Sequence, residues 1–230
     1  MGDIKLVVFD VAGTTAKDDG LVVKAFREAM IQQGVERDSD ELAKMVDYVE
    51  ETMGQRKMDV FMHLCEGNAI AAAATHEIFI EQYNNLVANG ELEEFDGISQ
   101  LFATLRATNI GVAITTGFPR ELLSSILNDL DWRERIDLSV ASDEVAAGRP
   151  APDMILRTID LYRNLSNQEI EPSNVMVVGD TQSDMQSGVA AGARYIVGVT
   201  SGAHDELQLK TAGATHVFDG AAQLLTLVNR

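Results

Sequence analysis

Six short apolar runs recur along the chain: Ile4–Phe9, Ile110–Ile114, Ile136–Ala141, Val175–Val178, Tyr195–Val199 and Thr215–Phe218. Runs of this length, rich in valine and isoleucine, predict strands buried on both faces, as in a parallel sheet. Helical patterns alternate with them at Ile98–Thr108, at Glu121–Leu130, and at Pro152–Leu165, which its proline starts. Three more follow: one from after Asp180 to about Ala191, ended by Gly192, one at Asp205–Thr211, and a closing helix. Alternation of this kind predicts an α/β fold with a doubly wound sheet. No internal repeat is visible.

The first two strands are separated by about ninety residues with almost no strand signal, too many for a simple crossover. Helical periodicity fills the gap. Leu21–Gln33 places Val22, Phe26, Ala29 and Met30 on one face, and Asp40–Met53, Lys57 to about Ala74 and His76–Asn89 follow. Ser39 or Asp40 is placed to cap the second helix, and Gly54 and Gly67-Asn68 punctuate the set. The expected organisation is a catalytic core of residues 1–15 and 97–230 with an all-helical cap of residues 16–96. Hinges near Ala16–Gly20 and Glu91–Gly97 would let that cap close over the core and exclude water.

Chemistry gathers at the strand ends. The first strand delivers Asp10, followed by Val11-Ala12-Gly13-Thr14-Thr15. Alone, Asp10 reads equally well as a turn-capping aspartate. The fourth run ends the same way, in Gly179-Asp180 followed by Thr181-Gln182-Ser183-Asp184, and the second run ends in Thr115-Thr116-Gly117. A basic turn, Gly148-Arg149-Pro150-Ala151-Pro152, lies between them. Parallel strands bring such ends to one sheet edge, where open α/β folds bind ligands. Three carboxylates there suit Mg²⁺, which takes hard oxygen ligands and keeps waters and substrate oxygens. Arg149 and Thr115 would grip a phosphate-like dianion. Gly117 and Gly179 would allow close approach of backbone to phosphate and metal.

In this order, Asp10-Val11-Ala12-Gly13-Thr14, Thr115-Thr116-Gly117, Arg149 and Gly179-Asp180-Thr181-Gln182-Ser183-Asp184 resemble the haloacid dehalogenase superfamily of aspartate-nucleophile phosphotransferases. The resemblance implies a Rossmann-like core and Asp10 as the nucleophile that accepts a phosphoryl group. It also implies Mg²⁺ held by Asp10, Asp180 and the Ala12 carbonyl, with Asp184 acting through a water or from behind. Phosphatases of the superfamily carry a second aspartate two residues after the nucleophile, to protonate an alkoxide. Here that position is Ala12, and general acid–base help of that kind is worth about 10²–10⁴-fold.

A carbon leaving group would need no such acid. Ala12, Arg149 and the segment Met53-Gly54-Gln55-Arg56-Lys57 together resemble the phosphonoacetaldehyde hydrolase (phosphonatase) branch. That resemblance implies Lys57 as a Schiff-base lysine, with Met53, Gly54, Thr116, Gly117 and Phe118 at the substrate. Without it, Lys57 reads as a solvated helix-face lysine. The pattern departs from the branch at Val60, in place of a histidine, at Phe118, in place of a tyrosine, and at Leu21, near the place of a cysteine. These departures favour a larger or more apolar oxo-phosphonate. A phosphomonoesterase with a weakened acid–base set, or a non-catalytic phosphate-binding protein, are the alternative readings.

Net charge is −18, from 18 Lys+Arg against 36 Asp+Glu, which argues against nucleic-acid and anionic-membrane partners. A small-molecule phosphonate or phosphate is the expected partner, drawn in by a local field that Arg149 and Mg²⁺ must make positive. Members of the branch often dimerise through the cap, although no patch in this sequence demands a homodimer. Cys65 is the single cysteine and reads as a small apolar filler, which fits a reducing cytoplasmic compartment. The start of the chain lacks a signal-peptide layout, and no apolar run approaches bilayer length. His63, His76, His204 and His216 lack ligand spacing and read as surface or packing residues, and the cap methionines read as core filler. Asp18 and Asp19 read as exposed hinge loop, and Trp132 as part of a polar turn.

Overall fold

The structure, a computed structural model, describes residues 4–228. The chain opens with β1 (Leu6–Phe9) and β2 (Ala16–Lys17), then enters four helices: α1 (Leu21–Gln32), α2 (Asp40–Glu51), α3 (Lys57–Leu64) and α4 (Ala69–Ala88). It returns through β3 (Glu93–Glu94), α5 (Ile98–Ala107), β4 (Gly111–Thr116), α6 (Arg120–Asp129), β5 (Leu138–Ala141) and α7 (Asp153–Ser166). It finishes with β6 (Val175–Gly179), α8 (Gln182–Ala191), β7 (Tyr195–Val199), α9 (Glu206–Thr211), β8 (His216–Phe218) and α10 (Leu225–Val228). Among the described residues, no helix is long and apolar enough to cross a membrane.

Six strands form one parallel sheet in the order β5-β4-β1-β6-β7-β8, an α/β doubly wound arrangement of the Rossmann-like kind with a helical insertion. Strands β1, β4 and β6 are buried along their whole length, which explains why they read as unbroken apolar runs. Register then places the chemistry. Phe9 pairs with Ile114 on one side and Val178 on the other, so Asp10, Thr115 and Gly179 leave the sheet at one level.

The insertion differs from expectation in three ways. First, the helix expected from Lys57 to Ala74 breaks ten residues early: α3 stops at Leu64, and α4 runs without interruption through the boundary expected near Thr75. Glu66 and Gly67 both take left-handed backbone, and the Asn68 side chain accepts from the Ile70 and Ala71 amides to start the new helix. Thr75 survives mid-helix because its hydroxyl folds back onto the Ala71 carbonyl. Second, α2 ends at Glu51, leaving Thr52–Arg56 as a turn; Ser39, not Asp40, caps this helix by accepting from the Leu42 amide. Third, the base of the insertion is not helical. Ala16 pairs with Glu94 and Lys17 with Glu93, so the two expected hinges form a single antiparallel ribbon.

Trp132 corrects another expectation. Far from decorating a polar turn, it is fully buried and packs edge-on against Phe102 at 5.4 Å. Its indole N–H donates to Glu94 Oε2 at 2.8 Å, an oxygen that the Ser99 hydroxyl also reaches at 2.6 Å. The core is thereby tied to the ribbon. Pro152 sits just before α7, as its N-cap, and not in its first turn. One apolar cluster runs from Phe9 and Phe102 through Phe118 to Phe79, Phe61 and Phe26, so core and insertion share packing.

Trp132→Phe is expected to lower stability by about 2 kcal/mol, since it removes a charge-assisted bond to a partly buried carboxylate and leaves only the Ser99 hydroxyl on that oxygen. A fall in the urea midpoint at unchanged slope, followed by circular dichroism, is the measurement. Glu94→Gln should cost less, because an amide oxygen still accepts.

Candidate active site

Asp10 follows β1 directly, and its amide donates to the Val178 carbonyl of β6 at 2.9 Å, fixing where the side chain begins. Thr15 Oγ1 donates back to the Asp10 carbonyl at 2.7 Å, curling the turn around it. Asp180 extends from β6. Its Oδ1 accepts from the Thr14 hydroxyl at 2.9 Å and its Oδ2 from the Ala203 amide at 2.8 Å. Asp184 belongs to a capping box that starts α8: its carboxylate accepts from the Thr181 amide at 3.1 Å. Carboxylate oxygens from Asp10, Asp180 and Asp184 all lie within 4.8 Å of one another, and all three residues are buried.

The counter-charge is Arg149. Its Nη1 contacts Asp10 Oδ1 and lies 2.9 Å from Asp184 Oδ1, while Nη2 donates to the Thr115 hydroxyl and carbonyl at 2.6 and 3.0 Å. Burial opposes the guanidinium charge, but Asp184, Asp10 and Asp180 outweigh it and hold the group protonated. Burial also drives the Asp10 carboxyl well above the ordinary range, against the pull of Arg149. Asp180 is pushed up to about 7 by burial and by the Asp184 charge beside it. Three dry carboxylates facing one guanidinium leave surplus negative charge, and hard oxygen donors in that state fit a divalent cation. None of the four histidines joins this group. His63 stacks on Tyr48, and His204 Nδ1 accepts from the Gln182 amide.

A cavity of about 410 Å³ opens above the carboxylates, between sheet edge and insertion. Asp10, Ala12 and Asp180 form its floor; Met53, Gly54, Lys57, Thr116, Gly117 and Phe118 line it, with Val22, Val23 and Phe95 as further apolar wall. Thr115, Arg149 and Asp184 do not line it: they stand behind Asp10 as its support. Lys57 is 6% exposed, and its ammonium lies 5.8 Å from the Phe118 ring centre. Burial is the main force lowering its pKa below the lysine range. Asp18 and Asp10 pull it up, and Arg149 pushes it down.

The start of α3 is seated by the core. The Lys57 amide donates to the Gly117 carbonyl at 3.2 Å. Gly54 has φ +82°, and a Cβ there would collide with the Thr181 hydroxyl; one on Gly117 would collide with the Gln55 carbonyl. Only hydrogen fits at either place. Arg56, next to Lys57, reaches across to the core: Nη2 donates to the Ser142 and Val145 carbonyls at 2.5 and 2.7 Å, and Nη1 to Ala146 at 3.2 Å. That loop leads into Arg149, so one side chain joins the insertion to the loop carrying the counter-charge.

Sequence reasoning missed Arg56, because nothing near it in the chain announces a partner ninety residues away. It also misplaced Asp18, which is only partly exposed, lines the cavity and accepts from the Tyr83 hydroxyl. Its pKa is raised, chiefly by burial. Asp19 is exposed as expected, at the cavity wall. Ser201, Gly202 and Ala203 complete the floor and carried no motif signal beforehand.

The chain belongs to the haloacid dehalogenase-like hydrolase family, whose sequence profile matches residues 7–198. It is 31% identical over 220 residues to a phosphonoacetaldehyde hydrolase of Bacillus cereus, covering 88% of this chain and 78% of that one. Among solved structures it resembles a phosphonoacetaldehyde hydrolase-like protein from Oleispira antarctica, with a TM-score of 0.79 at 21% identity over 99% of this chain and 92% of the other. A protein described as a predicted phosphoglycolate phosphatase from Haemophilus somnus aligns with a TM-score of 0.77 at 16% identity, over 99% of both chains. At these identities the structural likenesses establish the fold.

Arg56→Ala should expose the amine beside it. Lys57 is expected to react about tenfold faster or more with an amine-reactive reagent, read by mass mapping, since three charge-assisted bonds to the core are lost. Arg56→Lys should restore little, since a single ammonium cannot span three carbonyls.

Proposed function

We propose that this hydrolase cleaves the carbon–phosphorus bond of a 2-oxoalkylphosphonate, a substrate like phosphonoacetaldehyde. One observation carries the reading: the buried amine of Lys57 and the carboxylate of Asp10 line one cavity, while Ala12 offers no acid for an alkoxide. In this reading the Lys57 amine adds to the substrate carbonyl and water leaves, giving an iminium. Asp10 attacks phosphorus, and the C–P electron pair moves into the iminium, so that carbon departs as an enamine. Protonation of that carbon and addition of water then free the ketone or aldehyde and return the amine. A second water releases phosphate from Asp10.

Each residue has a part in that sequence. Arg149 holds the Asp10 carboxylate in line and favours its charged form against the effect of burial. Burial makes the neutral amine accessible below the usual lysine range, so iminium formation gains rate as pH rises toward the lowered Lys57 pKa. Val22, Val23, Met53, Phe95 and Phe118 give the carbon side apolar walls, and the cavity volume supports a substrate longer than a two-carbon aldehyde. Asp10, Asp180, Asp184 and the Ala12 carbonyl would hold Mg²⁺, which when bound supplies positive charge against the phosphoryl oxygens.

The competing phosphomonoesterase reading is tested in the same assay. Phosphate release is measured on phosphonoacetaldehyde, on longer 2-oxoalkylphosphonates and on simple phosphate esters, with borohydride trapping and mass mapping. The expected result is a substrate-dependent adduct on Lys57, with C–P cleavage lost in Lys57→Arg. Turnover of esters alone, with no adduct, would favour the phosphatase. Asp10→Asn should lower every activity by about 10³-fold or more, and chelation of Mg²⁺ should do nearly the same.

A further inference from the structure

Iminium chemistry needs a proton carrier as well as an amine. The hydroxyl of the first adduct must leave as water, and that water must be protonated as it goes. The carboxylates of the floor are committed elsewhere: Asp180 to Thr14 and Ala203, Asp184 to Thr181 and Arg149, Asp10 to Arg149 and, in the proposed reaction, to phosphorus. Val60, one turn after Lys57, carries no titratable group. The remaining acids on the cavity wall are Asp18, Asp19 and Glu50, and of these only Asp18 is withdrawn from solvent.

Asp18 is held from two directions. Its Oδ1 accepts from the Val22 amide at 3.3 Å, fixing it over the first turn of α1, and from the Tyr83 hydroxyl at 3.3 Å, fixing it to α4. Tyr83 packs at a tilt against Phe118, with ring centres 4.8 Å apart, and the Lys57 ammonium sits over that Phe118 ring. Amine, ring and carboxyl thus line one cavity, with the buried phenol joining ring to carboxyl from behind. We propose that Asp18 is the proton carrier for Lys57, giving the proton that departs with water when the iminium forms and taking it back when the iminium is hydrolysed. This rests on the Schiff-base reading above and adds to it the group that runs the dehydration.

The balance of the step is simple. Lys57 amine, substrate carbonyl and Asp18 carboxylic acid become iminium, water and Asp18 carboxylate; hydrolysis reverses all three. The starting state is also the one the site favours. Passing a proton from a lysine ammonium to a carboxylate turns an ion pair into a neutral pair, and a dry cavity penalises the ion pair more. Burial accordingly lowers Lys57 and raises Asp18, each the largest influence on its group. The charges that act on the pair are Asp10 and Asp180 from the floor and Arg149 from behind it, with Asp19 and Glu50 on the exposed wall, and burial keeps the Tyr83 phenol protonated, as a donor. Once the iminium exists, the new carboxylate is its counter-ion.

The test separates this from mere support of α1. Asn at position 18 still accepts from Val22 and Tyr83 through its amide oxygen, so Asp18→Asn keeps both bonds and loses only the proton. In the magnesium-loaded full chain with phosphonoacetaldehyde or its longer analogues, the Lys57 adduct trapped by borohydride should form about 10²-fold more slowly. KM and melting temperature should stay near wild type. Tyr83→Phe removes a bond that favours the ionised carboxylate, so the pH limb assigned to Asp18 should move upward, which also serves if Asp18→Asn does not fold. Adduct formation at the wild-type rate in Asp18→Asn, or an unmoved limb in Tyr83→Phe, would overturn Asp18 while leaving the Schiff base intact. Absence of any adduct in the wild-type enzyme would remove the Schiff base itself, and this proposal with it.

Discussion

A guanidinium buried among carboxylates makes the edge of this sheet tolerable. Register alone would set Asp10, Asp180 and Asp184 together in a space closed to bulk water, and their mutual repulsion would drive protons onto them. Arg149 contacts two of the three and the Thr115 strand end besides, so a single planar group ties β1, β4 and the start of α8. Removing it would leave uncompensated buried charge, a far larger disturbance than the pair contributes when intact. The remaining surplus is what would suit the edge to a dication. Fold and chemistry are therefore joined at one side chain.

That side chain arrives on a loop, and the loop is gripped from the other side by Arg56. The two arginines differ in what they hold. Arg149 binds carboxylates and takes part in the charge balance; Arg56 binds neutral carbonyls and acts as a mechanical link. Between them lies the segment that turns from the end of β5 toward α7. The insertion is thus seated on the very loop that supplies the counter-charge, and Lys57, the next residue after Arg56, is carried in with it.

Much of this architecture could be read from the chain, and the parts that could not share a cause. Strands such as Val175–Gly179 declare themselves because burial on both faces demands a continuous apolar run. Asp10 and Asp180 were legible because each follows such a run directly, and Asp184 because it closes the motif that Asp180 opens. Ala12 was informative through what it lacks. By contrast, Asp18 looks like any acid in a polar hinge loop until Tyr83, far along the chain, is folded onto it. Trp132 sits among charged neighbours in sequence, yet its partners are Phe102 and Glu94. The α3–α4 break was misjudged because the helix-forming stretch Ala69–Ala74 reads as a continuation of the helix from Lys57, whereas Glu66 and Gly67 act through backbone angles that composition does not encode. The hinge ribbon is too short to have any pattern. Local preference was visible; pairings across tens of residues were not.

The cavity asks opposite things of its two ends, and burial answers both. At the floor, charge must be retained, so each carboxylate is given hydrogen-bond donors or a cation: Thr14, Ala203, Thr181 and Arg149. On the carbon side, the proposed chemistry needs charge to be shed, so the amine is set over an aromatic face beside an acid already inclined to hold a proton. The same exclusion of water strengthens the pairing of ions below and favours neutral partners above; the difference lies in how many donors each group has been given. This also explains why the amine belongs on the insertion and not on the sheet. In the proposed reaction water must enter to hydrolyse the iminium and the phosphorylated aspartate, but must be absent while the C–P bond breaks. A lysine fixed to the sheet could not alternate between those conditions. One carried by an element that docks through the Gly117 carbonyl and Arg56 is dry in this arrangement, and the proposed reaction would need that element to lift for water to enter.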